Sequence, residues 1–484
     1  MLARHNSLLW GFMKTLASCT AVALLTIVSA TSVAAPPSPE QAQAQFRDVY
    51  EELVEINTTL SADNCIGAVK AMAARLKSAG IPDADVHLIA PPDRPTKGNL
   101  VAILHGTKPS AKAVLLLAHI DVVEAKREDW VRDPFTLIEE DGYFYGRGTA
   151  DDKAMAAIFV DAMMRYKKTG YRPQRDIKLA LTCGEETPND FDGARYLVEN
   201  HRDLIDAELA INEGGGGRLS PDGQRLYNGV QAGEKVYQDY RLEVTNPGGH
   251  SSRPIKDNAI YQLAAALTRV SAHQFPIEFN DATRGFFDRR STMETGQLAA
   301  DMRAILQTPP DADALARMLA DPSFNSILHT TCVATMLDGG HAPNGLPQRA
   351  GANVNCRVFP GTTQEDVRAT LERVVADPVV KVTFVDPPEK VSPPPPLTKS
   401  VLEPIEKITQ KMWPGVPVLP TMAAGATDGR FLTPEGIPTY GVSGIFSDPA
   451  TTNAHGLNER VRVQSLYEGR EFLDQLIKAY AGGR

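Results

Sequence analysis

Five short stretches hold the residues able to do chemistry, and they follow one another along the chain. They are His119-Ile120-Asp121, Gly146-Arg147-Gly148-Thr149-Ala150-Asp151-Asp152-Lys153, Cys183-Gly184-Glu185-Glu186-Thr187, Asn212-Glu213 with its four glycines, and Asn453-Ala454-His455-Gly456. Together they offer two imidazoles and three carboxylates as ligands. That mixture suits two borderline cations such as zinc sharing one bridging carboxylate. One glutamate is left over. A hydrolase needs such a surplus carboxylate as general base, because an activated water must lose a proton and the leaving group must gain one.

Ligands so far apart in sequence require a rigid frame. Helical periodicity marks residues 45–56 and 64–79, short apolar strands 101–105 and 114–118, a helix 154–168, and a buried strand 177–182. This alternation predicts an α/β layer with a mostly parallel sheet, where ligands gather at the carboxyl ends of the strands. His119 follows strand 114–118, Glu185 and Glu186 follow 177–182, and Glu213 follows 208–211. After Glu234 the rhythm changes: 237–244 and 352–358 alternate like antiparallel strands, and 259–270 is helical. These features predict a separate α+β unit, with a stretch from Thr283 to Asn325 whose role the text does not give. The prolines after Ser392 make a stiff return linker. Helices over 400–411 and 463–480 and a strand over 439–442 complete the chain. His455 lies beyond the second unit, so the catalytic domain must be discontinuous.

Each motif has a plainer reading when taken alone. His119 and Asp121 are too close for both to be independent metal ligands, so the natural division puts His119 on metal and Asp121 behind it, fixing the tautomer. By itself the pair reads more readily as surface residues. Asp151 follows a glycine turn that suits a rigid bridging carboxylate, and equally a turn before an acidic helix cap. Glu185 and Glu186 sit where consecutive side chains diverge, which lets one ligate while the other faces water; a solvated acid pair is the ordinary alternative. The glycine run after Glu213 rivals a phosphate-cradling loop, but the Lys-Ser/Thr that should follow is absent.

As an ordered set, these motifs resemble those of the dinuclear zinc metallohydrolases that include aminoacylase, acetylornithine deacetylase, succinyl-diaminopimelate desuccinylase, carnosinase-type dipeptidases, glutamate carboxypeptidase and carboxypeptidase S. The resemblance runs from about Gln41 to the C-terminus. It implies a zinc-exopeptidase-like α/β catalytic domain interrupted by an α+β lid and dimerisation domain. The expected division is 1–34 signal peptide, 35–233 and 398–484 catalytic, and 234–397 lid. It also implies two zinc ions per subunit, with cobalt or manganese as alternatives. His119, Asp151 and Glu213 would hold one, and Asp151, Glu186 and His455 the other. Asp121 becomes the orienting acid and Glu185 the general base. Asn246-Pro247-Gly248-Gly249-His250 resembles the lid motif whose histidine supports the oxyanion, often in the partner's site. Asn344, Arg357 and Arg430 match positions that handle substrate. Two departures are Ala154 where the family usually has Gly, and Glu213 where some branches have Asp. Neither removes a ligand, and the second points toward aminoacylase and carboxypeptidase S. The implied activity is amide hydrolysis of small peptides or N-acyl amino acids, of exopeptidase, carboxypeptidase or dipeptidase type. An aminoacylase-like deacylase is the alternative, and an inactive binding protein the remote one.

Composition agrees with a soluble globular protein. The chain has 484 residues, 43% hydrophobic and 23% charged, enough for two globular units. A net charge of -9 leaves no electrostatic footprint for nucleic acid. The apolar run 15–33, closing on Ala34-Ala35 before Pro36, reads as a secretory signal peptide with Met1 or Met13 as start. The expected product is therefore periplasmic or secreted, with no stable membrane insertion after processing. There Cys65, Cys183, Cys332 and Cys356 enter an oxidising compartment. A Cys332 to Cys356 bridge is compatible with their two strand-like segments.

Overall fold

The computed structural model describes residues 38–187, 190–448 and 452–483; the expected signal peptide lies outside them. The main sheet has ten strands. Its order runs Val86–Ile89, Asn99–Leu104, Ile177–Thr182, Val114–His119, Leu209–Asn212, Thr439–Gly441, Arg225–Glu234, Gly216–Leu219, Phe446–Ser447, and Val418–Ala423 also pairs with Arg225–Glu234. The centre is parallel: Val114–His119 lies between Ile177–Thr182 and Leu209–Asn212, and Thr439–Gly441 extends it. Every residue of Val114–His119 and Ile177–Thr182 is buried. Near-continuous apolar strands, with Lys178 the one charged residue inside them, are what a sheet covered on both faces requires. Helix Lys153–Thr169 supplies one cover; its residues from Lys153 through Met163 are all buried, and Gly170 at φ 71 ends it in the left-handed region.

A second sheet, antiparallel and separate, runs Thr331–Gly339, Arg349–Val358, Val236–Thr245, Lys381–Phe384. It has its own core around Tyr240, Leu242, Val354 and Leu371, packed with helices Ala259–Ala272 and Gln364–Val375. The 398–484 segment returns to the first sheet through three strands, which brings His455 back beside the early motifs. Among the described residues no helix is long and apolar enough to cross a membrane.

The stretch between the two sheets' strands is four helices, Asp281–Arg290, Gly296–Ala304, Ala312–Leu319 and Pro322–Leu328, around Phe286, Phe287, Met302 and Met318. They do not belong by packing to the four-stranded unit. Ala282 is buried in the core of the main sheet, and Arg289 donates through Nη1 to the Val418 carbonyl at 2.8 Å. These helices cover Val418–Ala423, an edge strand that would otherwise offer unpaired backbone.

Among the described residues two disulfides are present. Cys332 and Cys356 are register partners on adjacent strands, and Cys65 is joined to Cys183, 118 residues away. The first is compatible with the sequence. The second has no sequence signal at all.

Candidate metal centre

Three neighbouring parallel strands deliver their ends to one edge of the sheet. His119 is the last residue of Val114–His119, Glu213 follows Leu209–Asn212 directly, and Glu185 and Glu186 follow Ile177–Thr182 after a tight turn. Gly184 makes that turn at φ 101, where an added Cβ would stand 1.8 Å from the Phe191 carbonyl oxygen. Asp151 enters from the turn before helix Lys153–Thr169, and His455 from the returning segment.

The side chains converge. His119 Nε2 lies 3.1 Å from Asp151 Oδ1 and 3.8 Å from Glu213 Oε1. His455 Nε2 lies 3.2 Å from Asp151 Oδ2 and 2.9 Å from Glu186 Oε1. Asp151 thus stands between two donor groups, one completed by Glu213 and the other by Glu186. His119, Glu185 and Glu186 form a third close group. Asp121 has a task the sequence does not suggest. Its backbone carbonyl, 3.0 Å from His119 Nδ1, accepts a hydrogen bond from the ring N–H. Its carboxylate, 3.8 Å from that nitrogen, instead accepts the N–H of Glu185 at 3.3 Å and of Glu186 at 3.0 Å.

This donor set fits cations. A carbonyl can only accept, so Nδ1 of His119 carries a proton, and Nε2 faces two carboxylates. Either Nε2 is protonated too, or a cation lies between. In the cation-free chain protons do this work: burial opposes charge on His119, but Glu213 and Asp151 raise its pKa well above the usual imidazole value. Hydrogen bonds to Asp151 and Glu186 raise His455 to about 10. Burial, opposed by His119 and reinforced by Glu213, pushes the Glu185 carboxyl to about 10. Groups with raised folded pKa values stabilise the fold below their unfolded values and lose that contribution as pH rises through the folded ones. Divalent cations replace those protons. Stabilisation by Zn²⁺ over EDTA should therefore be larger near pH ~8 than near pH ~5.5. Calorimetric Tm values at the two pH values test this; an increment that grows toward acid contradicts it.

The centre opens on a cleft of ≈ 900 Å³ between the two sheets, lined by Glu185, Glu186, His455, Arg357 and Arg430. Arg430 is paired with Asp192 at 3.3 Å. Arg357 lies 4.7 Å over the Tyr237 ring and, among the described residues, has no carboxylate within salt-bridge distance. His250 and Asn344 are not brought to the centre. His250 sits on the ribbon formed by Gly249–His250 and Gly345–Leu346 and Asn344 in the turn just before it, both exposed, with Ser252 Oγ 2.8 Å from His250 Nδ1. Sequence reading missed Asp428, buried where Thr182 Oγ1 donates to it at 2.5 Å, and Glu459, buried behind Asp151. The only sequence signal for Glu459 is an acid in the small, polar loop of His455.

The family model for Peptidase family M20/M25/M40 matches residues 115–479. The chain is 29% identical over 387 residues to the human N-fatty-acyl-amino acid synthase/hydrolase, covering 78% of this chain and 75% of that protein. It is 28% identical over 400 residues to the probable carboxypeptidase S-like 2 of Dictyostelium discoideum, covering 78% and 74%. A crystal structure of an M20 family metallo-carboxypeptidase from Sulfolobus solfataricus matches with TM-score 0.67 at 16% identity, over 90% of this chain and 99% of that one, a likeness of fold.

Proposed function

The chain belongs to peptidase family M20/M25/M40, and from that premise we propose a dinuclear, zinc-dependent hydrolase of amide bonds in N-acyl amino acids or small peptides. Being an M20 family hydrolase, it has peptidases and acyl-amino-acid hydrolases as kin. The single observation that supports the finer reading is Asp151, within hydrogen-bond distance of both imidazoles, with Glu213 and Glu186 completing a donor group on either side.

When bound, the two cations would polarise the scissile carbonyl and acidify the attacking water. Glu185, on the cleft wall, would take the proton from that water and pass it to the leaving nitrogen. Asp121 fixes the Glu185 backbone while the proton moves. Among the described residues Arg357 is the cleft cation without a carboxylate in salt-bridge distance, which suits it to a carboxylate on the leaving amino acid. Its charged hydrogen bond contributes ~1.5–3 kcal/mol. Arg357→Met should therefore lower kcat/KM about 10- to 100-fold for substrates with a free α-carboxylate and leave their amides unaffected. Equal loss on acid and amide would remove that role.

Likeness to an N-fatty-acyl-amino acid hydrolase supports acyl amino acids over peptides, as do Phe431, Pro387 and Pro388 in the cleft wall. A matched panel of N-acyl amino acids and dipeptides on zinc-loaded protein tests this. Turnover of neither class would sink the proposal.

We also propose an exported homodimer. Two disulfides and the apolar run 15–33 support export. For the dimer, the edge strand Thr331–Gly339 exposes Met336 at 70% and Leu337 at 71%, beside Tyr261 at 67% on the neighbouring helix. An apolar, unpaired edge suits strand pairing with a second copy.

A further inference from the structure

His455 is the weakly held member of the cluster. Its side chain is 57% exposed, against 1% for His119. Its backbone stands at φ 60, between Asn453 at 57 and Asn458 at 53. Asn and His enter that left-handed region more readily than most residues, yet it is uncommon for any residue but glycine, and neighbouring structure must select it.

The hold comes from a buried ion pair that ties the His455 loop to the Asp151 turn. Glu459 Oε1 accepts the N–H of Ala150 at 2.8 Å and of Asp151 at 3.1 Å. Its Oε2 accepts Gly148 N–H at 3.1 Å and Arg147 Nη1 at 2.7 Å. Arg147 returns the contact: Nη2 donates to the carbonyl of Gly456, next to His455, at 2.9 Å. Its guanidinium lies 5.1 Å over Trp130. Glu459 is 0% and Arg147 2% exposed, so water replaces none of these bonds.

We propose that Glu459 and Arg147 are positioning residues that set the separation of His455 from Asp151, and so the affinity of the second cation, the one assigned to Asp151, Glu186 and His455. The inference rests on the dinuclear reading above. A carboxylate is required because every atom facing it is a donor. A glutamine turned either way presents its own N–H to backbone N–H groups and leaves Arg147 charged, buried and unpaired.

The test is titration of cation-free, full-length protein with Co²⁺, followed by calorimetry and visible absorption. Wild type should take up two cations. Glu459→Gln should keep the first near wild-type affinity and weaken the second about 10- to 100-fold. Turnover should recover at high Co²⁺ with KM unchanged. An unchanged two-step isotherm with a lowered Tm would make the pair merely structural, and equal weakening of both steps would also overturn the proposal. If Glu459→Gln does not fold, the double variant Arg147→Met with Glu459→Gln leaves no lone buried charge and is titrated against the same two outcomes. Wild type that binds no second cation defeats the dinuclear reading itself; two wild-type sites with an unaltered variant defeat only the positioning role.

Discussion

Glu185→Gln is expected to keep its cations and lose about 10²–10⁴-fold in kcat. The substitution preserves shape, and the backbone bond from Glu185 to Asp121 survives it, so the loop that also carries Glu186 keeps its place. What disappears is the oxygen that can accept a proton. Cation content by elemental analysis must accompany the kinetics, because Glu185 also lies close to His119 and Glu186. Loss of a cation together with activity would make Glu185 a ligand. Near-normal turnover with both cations bound would take it out of the proton path.

A second large effect is expected from mixing two inactive proteins. His250 sits on the exposed ribbon of the four-stranded unit, outside its own chain's centre, close in sequence to the apolar face proposed for dimer contact. In the proposed dimer, joined there, each chain would supply its histidine to the other's oxyanion. His250→Ala and Glu185→Gln would each be inactive alone. Refolded together or co-expressed, they should recover about a quarter of wild-type turnover, since half of random pairs are mixed and each mixed pair has one intact site. Verified heterodimers without turnover, or a fully active monomer, would return His250 to its own chain or to no role.

The chemistry was readable because each ligand sits at the end of a buried strand or beside a glycine turn, where a local motif and its position give the same answer. Strand 114–119 betrays itself by the apolar run from Val114 to Ala118, and strand 177–182 by Leu179, Ala180 and Leu181 beside Lys178. Roles carried by backbone are less legible. The tautomer of His119 is fixed by the Asp121 carbonyl, which any residue would supply, while the Asp121 side chain serves two amides elsewhere. Glu459 likewise binds N–H groups without sequence identity, and the Cys65 to Cys183 bridge closes over 118 residues with nothing local to announce it. An arrangement between chains, such as the one proposed for His250, is suggested by the motif's resemblance alone and by no periodicity or strand pattern of the chain.

The helices from Asp281 to Leu328 alter how the two sheets can move. With Ala282 in the main core and Val270 and Phe275 in the other, the chain passes between the bodies before and after these helices, as well as at 234–236 and along the proline linker. A body hung on two strands swings about one axis. One hung on four swings freely only where the four crossings share a line; otherwise each must flex in step with the others. Extra crossings of this kind restrict how far the four-stranded unit can swing, and with it the range of widths open to the mouth of the cleft.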